Sequence, residues 1–294
     1  MGTVDLHTHS TFSDGTCSPS ELVNKAVSCG LQAIALTDHD TVEGIPDFLK
    51  AAKDMAIEAI PGTELSVGFR DRDIHIVGLF IDHTHEGFQK MSQIMIKRRD
   101  ARNEEMAARF RRDNIPITME ELTNGNPDAV VTRAHFARLL IKYGVVKNTA
   151  EAFDGYLDPS APYYVPREYI SREEGIKTIL AAGGVPLHLT PLQSFREILI
   201  GGPSFSALSE KELCSLLTEL KEYGLLGIEV KYSTYSKQDE YFIRNIAKKF
   251  DLLPSGGSDF HGTNKPHISL GSGMGHLAVP YEYLQQMKEY AARS

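Results

Sequence analysis

Two imidazoles and a carboxylate stand within the first fourteen residues, His7 and His9 in "DLHTHS" and then Asp14. Imidazole nitrogens and carboxylate oxygens, with no thiolate nearby, suit Mn, Fe or Zn, and carboxylates can bridge two ions. One H-x-H pair among 11 histidines in 294 residues is close to what chance delivers, and the chain holds a second in His83 and His85. A metal reading therefore needs a wider set. That set exists in His39 of "LTDHD", Glu64 of "PGTELS", and Asp259 and His261 of "GGSDFHG". Each stands at the C-terminal end of a strand-like segment, whereas His75 stands near the start of its own. Carboxylates such as Asp14, Glu64 and Asp259 converge at a cost, because two of them about 4 Å apart repel by roughly 4 kcal/mol at an effective dielectric near 20. Divalent cations would remove that cost. Singly, each residue has a plainer role, as a hydrogen-bonded structural histidine or a turn with a helix cap. The shared edge is what points to a site, and His83 and His85, in an acidic loop, keep the structural role.

Short apolar segments such as "AIALTD", "DIHIVGLFI" and "LLGIEVKY" alternate with helix-like ones such as "SPSELVNKAVSCG". This rhythm predicts an α/β fold with a parallel sheet or barrel, since parallel neighbours need helical crossovers. In such folds the C-terminal strand edge is where loops aim side chains at one point. Ser18, Pro19 and Glu21 read as a capped helix start and Gly30 as its stop. Residues 86–170 break the rhythm and read as a helical insertion, leaving 1–85 and 171–294 as the barrel.

A net charge of −8 disfavours coating of duplex nucleic acid. The apolar runs are too short for a membrane span, the first ten residues do not resemble a signal peptide, and three widely spaced cysteines argue against a disulfide framework. A cytoplasmic setting is expected. A phosphorylated substrate would need local cations, and the stretch from Lys97 to Arg112 carries seven basic and three acidic residues. At helical spacing Arg99 and Asn103 interrupt an apolar stripe of Ile96, Met106 and Phe110, so Arg99, with Arg102 near it, must be paired or face a polar cavity. Arg109, Arg111 and Arg112 read as a solvated basic face.

Taken together, "DLHTHSTFSDG", "ALTDHDTVEGI", "PGTELS", "HIVGLF" and "GGSDFHG" resemble the successive motifs of the PHP family, the polymerase and histidinol phosphatase phosphoesterases. The likeness continues through "TRAHFARLL", "FDGYLDPSAPYYVP" and "GIEVKY", and is closest to the branch containing nucleoside 3′,5′-bisphosphate phosphatases and a 5′-to-3′ exoribonuclease. It implies a distorted seven-stranded (β/α) barrel with two or three divalent ions at its C-terminal face. One ion would sit on His7, His9, Glu64 and Asp259. Glu64 would bridge to a second on His75, and Asp14, His39 and His261 would hold a third. Asp14, His39, Glu64, Asp259 and His261 would thus form the catalytic core, with Asp38 or Asp40 orienting His39. Where the family reads "AHP", this chain has "LHLTP", with Thr190 before Pro191. Either His188 is a relocated ligand or it packs and the second ion is weak or absent.

The resemblance adds Arg133 and His135 to Arg99 and Arg102 as substrate-binding residues, with Tyr156, Tyr163 and Tyr164 as candidates to stack on a base or to pack in the core. The implied reaction is hydrolysis of a phosphomonoester by metal-activated hydroxide, on a small substrate such as a nucleoside 3′,5′-bisphosphate or short oligonucleotide. Alternatives are a sugar or amino-alcohol phosphate, or a metal-binding module without activity. No leaving-group acid and no oligomeric state can be assigned.

Overall fold

A computed structural model describes residues 2–70, 72–123, 130–188 and 208–291. Thr190 and Pro191 lie outside the described residues. Strands β1 (Thr3–Asp5), β2 (Ala33–Leu36), β3 (Glu58–Phe69), β4 (Arg72–Leu79), β5 (Val185–His188), β6 (Gly227–Tyr232), β7 (Leu253–Gly257) and β8 (Val279–Pro280) form one sheet in the order β7-β6-β5-β4-β3-β2-β1-β8. The sheet curls into a nearly closed barrel of eight strands, one more than expected. The eighth is a two-residue strand that covers the lower edge of β1 in antiparallel register. Above it β7 returns to the same edge, where Leu6 donates to Gly256 O (3.2 Å), Asp259 to His7 O (2.9 Å) and His9 to Phe260 O (3.0 Å). Gly257 permits this crossing, because a Cβ there would lie 2.4 Å from His7 Cβ.

The parallel expectation holds for β1–β2–β3 and β5–β6–β7, but β4 runs antiparallel to both of its neighbours. This reversal explains His75. On a reversed strand the N-terminal end lies at the same edge as the C-terminal ends of the others, so His75 stands opposite Ser66 near the end of β3.

Alternate residues divide the sheet into two faces. Ala33, Ala35, Val77, Leu79, Val185 and Leu187 fill the lower interior, closed by Leu284 and Met287 of helix α10 (Tyr281–Ala291). Intervening residues such as Ile34, Leu36, Ile76, Ile228 and Val230 join an outer apolar layer. That layer meets α1 (Pro19–Ser28), α2 (Ile45–Ala52), α7 (Arg172–Ala181), α8 (Glu210–Tyr223) and α9 (Lys237–Lys249). Helix α1 starts in the expected capping box of Ser18 with Glu21, and Gly30 follows its end at φ 72°.

Between β4 and β5 the chain forms α3 (Glu86–Arg112), α4 (Met119–Thr123), α5 (Arg133–Lys142) and α6 (Thr149–Ala152), which runs into a π turn at Phe153–Leu157. The first half of α3 packs Phe88, Met91 and Met95 onto the outer layer. Its second half joins a separate cluster of Met106, Phe110, Phe136, Leu140 and Leu157. One long helix thus anchors a helical lobe to the barrel. His85 accepts a hydrogen bond from Phe88 N and caps α3, which is the structural role expected for it. No described helix is long and apolar enough to cross a membrane.

Candidate metal centre

The potential metal donors meet above the interior apolar plug, at the edge where the parallel strands end. Glu64 is central: its Oε2 lies 3.2 Å from His7 Nε2, His9 Nε2 and His39 Nδ1, and its Oε1 lies 2.5 Å from His75 Nδ1. Asp259 Oδ1 lies 3.3 Å from both His9 Nε2 and His261 Nδ1, and Asp14 Oδ1 lies 3.1 Å from His261 Nε2. Three overlapping groups have donor atoms within 4.8 Å of one another: His7, His9 and Asp259; His39, Glu64 and His75; and His9, Asp14, His39 and His261. Because His9 and His39 each serve two groups, this is one cluster with room for more than one cation.

Local structure aims these groups. Asp38 accepts from Ser10 N (2.7 Å), Ser10 Oγ (2.6 Å) and Ser13 Oγ (2.5 Å), folding the turn that carries Asp14. Thr132 Oγ1, at the start of α5, donates to Asp14 Oδ2 at 2.9 Å and ties the helical lobe to the cluster. Asp38 and Asp40 therefore do not orient His39: Asp38 holds the turn, and Asp40 accepts from Ser66 N, Arg99 and Arg167.

The donor set fits divalent cations. Asp14 Oδ1 and His39 Nδ1 are buried and make no hydrogen bond, although both face the cluster. Buried polar atoms in native proteins seldom go unsatisfied, and a cation would satisfy both.

In metal-stripped protein, protons take over part of the cation's role. Burial opposes charge on His7 and His9, but Glu229 and Glu64 outweigh it at His7, and Asp259 and Glu64 raise His9 to about 9. Burial also opposes charge on Asp14, Glu64 and Asp259, yet the facing histidines and Lys265 hold all three well below the usual carboxylate range. Raised histidines stabilise the fold fully below the unfolded value near 6.5 and lose that contribution as pH rises through about 9. Thermal melts of metal-stripped protein should therefore show a fall in stability between about pH 6.5 and 9. Loading with Mn should abolish this fall, since the ligands must already be deprotonated to bind it. An unchanged slope after loading would mean that the metal binds elsewhere.

The structure does not bring His188 to the cluster. It pairs with Ile76 on β4 and Ile228 on β6, both in the outer layer, while its neighbour Leu187 faces the interior. Its imidazole bonds to the backbone of His75 but joins none of the three donor groups. Burial depresses its pKa to about 4, as expected of a neutral packed histidine.

Beside the cluster opens a cavity of about 160 Å³. Asp14, His39 and His75 form its inner wall, Arg99, Arg102, Arg133 and Arg167 surround it, and Phe153 and Tyr169 supply aromatic faces. Three of the expected substrate-binding residues thus meet there. His135 does not line the cavity; its Nδ1 accepts from Thr132 N at 3.0 Å and caps α5. The guanidinium of Arg133 sits 5.8 Å from the Phe153 ring centroid, and that of Arg167 4.9 Å from the Tyr169 centroid. Tyr156 and Tyr163 instead stack with Phe110 in the lobe's core, Tyr163 at 4.2 Å.

Sequence reasoning missed Arg167 and Tyr169, which lie in an irregular stretch without periodicity, Phe153, which opens the short π turn after α6, and the outer residues Glu229, Tyr232 and Lys265. Glu229 alone left a usable sign, as a carboxylate inside the otherwise apolar "LLGIEV". Glu229 Oε1 stands 3.1 Å from His7 Nδ1, and Lys265 Nζ lies 2.6 Å from Asp259 Oδ2, which also accepts from Tyr232.

Residues 5–161 match the family model described as the PHP domain. The chain is 37% identical over 257 residues to a 5′-3′ exoribonuclease of Haemophilus influenzae, covering 87% of this chain and 89% of the relative. It is 30% identical to a 3′,5′-nucleoside bisphosphate phosphatase of Chromobacterium violaceum, covering 92% and 91%. Among solved structures, one described as an amidohydrolase from Chromobacterium violaceum, with bound sulfate and no metal, superposes with a TM-score of 0.82 at 28% identity, covering 98% of this chain and 96% of the other.

Proposed function

The chain belongs to the PHP family of metal-dependent phosphoesterases, and from that premise we propose that it hydrolyses a phosphomonoester of a nucleoside 3′,5′-bisphosphate or of a short oligonucleotide. The observation that carries this reading is the contiguity of the metal cluster with a cavity holding four arginines and two aromatic rings. A phosphoryl group placed at His39 and His75 leaves room for a second anionic group among the guanidinium groups. A planar base has Phe153 or Tyr169 to lie against. The relatives acting on exoribonuclease and bisphosphate substrates support the same class.

Two or three divalent ions would be held by His7, His9, Asp14, His39, Glu64, His75, Asp259 and His261. When bound, such ions bring the pKa of water toward neutrality and offset the charge of the phosphoryl oxygens. The chain's own residues do the positioning. Guanidinium groups match phosphate oxygens with parallel hydrogen bonds, and here Arg99 and Arg167 are already fixed by Asp40. Arg102 and Arg133 approach from the lobe, so the lobe supplies half of the clamp while the barrel supplies the donors.

Phosphate release with added Mn should be fastest on a 3′,5′-bisphosphate or short oligonucleotide, slow on sugar and amino-alcohol phosphates, and lost in Asp259→Asn. Failure on every nucleotide, with turnover on a small polyol phosphate, would overturn the substrate reading. Metal uptake without turnover on any ester would overturn the activity.

A further inference from the structure

Strand β6 contributes no donor to the three groups, yet two of its side chains touch donors that belong to them. Glu229 is fully buried and stands 3.1 Å from Nδ1 of His7, the nitrogen on the far side of the ring from Glu64. Tyr232 donates its hydroxyl to Oδ2 of Asp259, whose Oδ1 faces His9 and His261. On a regular strand residues three apart point to opposite faces, so Glu229 and Tyr232 could not both turn inward. The pairing of β6 with β7 slips between Glu229 and Lys231, where Glu229 opposes Ser255 and Lys231 opposes the very next residue, Gly256. One extra residue in a strand reverses the alternation beyond it, and such bulges re-aim side chains near active sites.

We infer that the bulge in β6 exists to place Glu229 and Tyr232 as positioning residues for the metal ligands. Glu229 fixes the tautomer of His7, holding the proton on Nδ1 so that Nε2 presents its lone pair to the cluster. Tyr232, together with Lys265, occupies one oxygen of Asp259 and restricts it to a single donor atom. Asp259 itself sits at φ 56°, a left-handed backbone costly for a non-glycine residue. The inference rests on the metal reading above, and it adds a function for a strand that reading leaves idle.

The test is calorimetric titration of Mn into metal-stripped wild type, Glu229→Gln, Tyr232→Phe, Asp259→Asn and the double variant Tyr232→Phe/Asp259→Asn, each checked for fold by circular dichroism. Both single outer variants should bind at least one ion 10- to 100-fold more weakly than wild type. In the Asp259→Asn background, Tyr232→Phe should add little, because the carboxylate that its hydroxyl holds has already been removed. Folded outer variants that bind Mn within twofold of wild type would overturn the inference while leaving the metal reading intact. Wild type that takes up no Mn would overturn the metal reading and the inference with it. Tyr232→Phe removes one hydroxyl, so it decides the matter even where Glu229→Gln fails to fold.

Discussion

Glu64→Gln should lower phosphate release by about 10³-fold or more while the protein stays folded. Changing a residue that only orients a metal ligand already costs about 10- to 100-fold in metal affinity or activity. Glu64 does more than orient a ligand, because one oxygen faces His7, His9 and His39 while the other faces His75. Glutamine keeps the shape, removes the negative charge, and turns one lone-pair atom into an N–H that repels a cation. All three donor groups are then affected together, directly for His39, Glu64 and His75, through His7 and His9 for the group containing Asp259, and through His9 and His39 for the group containing Asp14. The measurement is steady-state turnover paired with metal content. Both should fall in step, and a loss of turnover at full metal content would show that Glu64 acts on the substrate instead.

Most of this cluster was legible in the primary structure because metal donors at strand ends are polar residues where strands are otherwise apolar. His7, His9, Glu64, Asp259 and His261 follow that rule. His75 did not, since the start of a strand is the wrong edge unless the strand is reversed. Strand direction depends on pairing partners that a single segment does not encode. His188 stayed open between two roles for a related reason: its distance from Pro191 is visible, but its direction depends on Ile76 and Ile228 on neighbouring strands. The fold class followed from the βα rhythm, whereas the eighth strand is too short to carry a periodic signal. Arg99 was found because it breaks an apolar helical stripe. Arg167 escaped because an irregular loop has no stripe to break, and it is recognisable only through Asp40, which it shares with Arg99.

That shared carboxylate sets up a contrast between a substitution behind the cavity wall and one on it. Asp40 is fully buried and faces two guanidinium groups that are themselves almost fully buried. Asp40→Asn should cost roughly 3–5 kcal/mol, the penalty for leaving buried charge uncompensated. Arg102 is also about nine-tenths buried, but it has no carboxylate partner among the described residues; its Nη1 lies 2.9 Å from Met106 Sδ and its Nε makes no hydrogen bond there. Burial, then the nearby Arg167 and Arg133, depresses its pKa to about 10. A cation held this way is a cost to the fold, tolerated where an anion repays it. Arg102→Met should therefore raise the melting temperature of substrate-free protein by about 2 °C or more, and raise KM ten- to hundredfold with little change in kcat, as loss of a charged contact to a bound anion requires. Differential scanning calorimetry on the two variants should give opposite signs for stability, and steady-state kinetics on Arg102→Met should show the rise in KM. If Arg102→Met instead destabilised the protein and left KM unchanged, Arg102 would be a packing residue, and the lobe's part in holding the substrate would fall to Arg133.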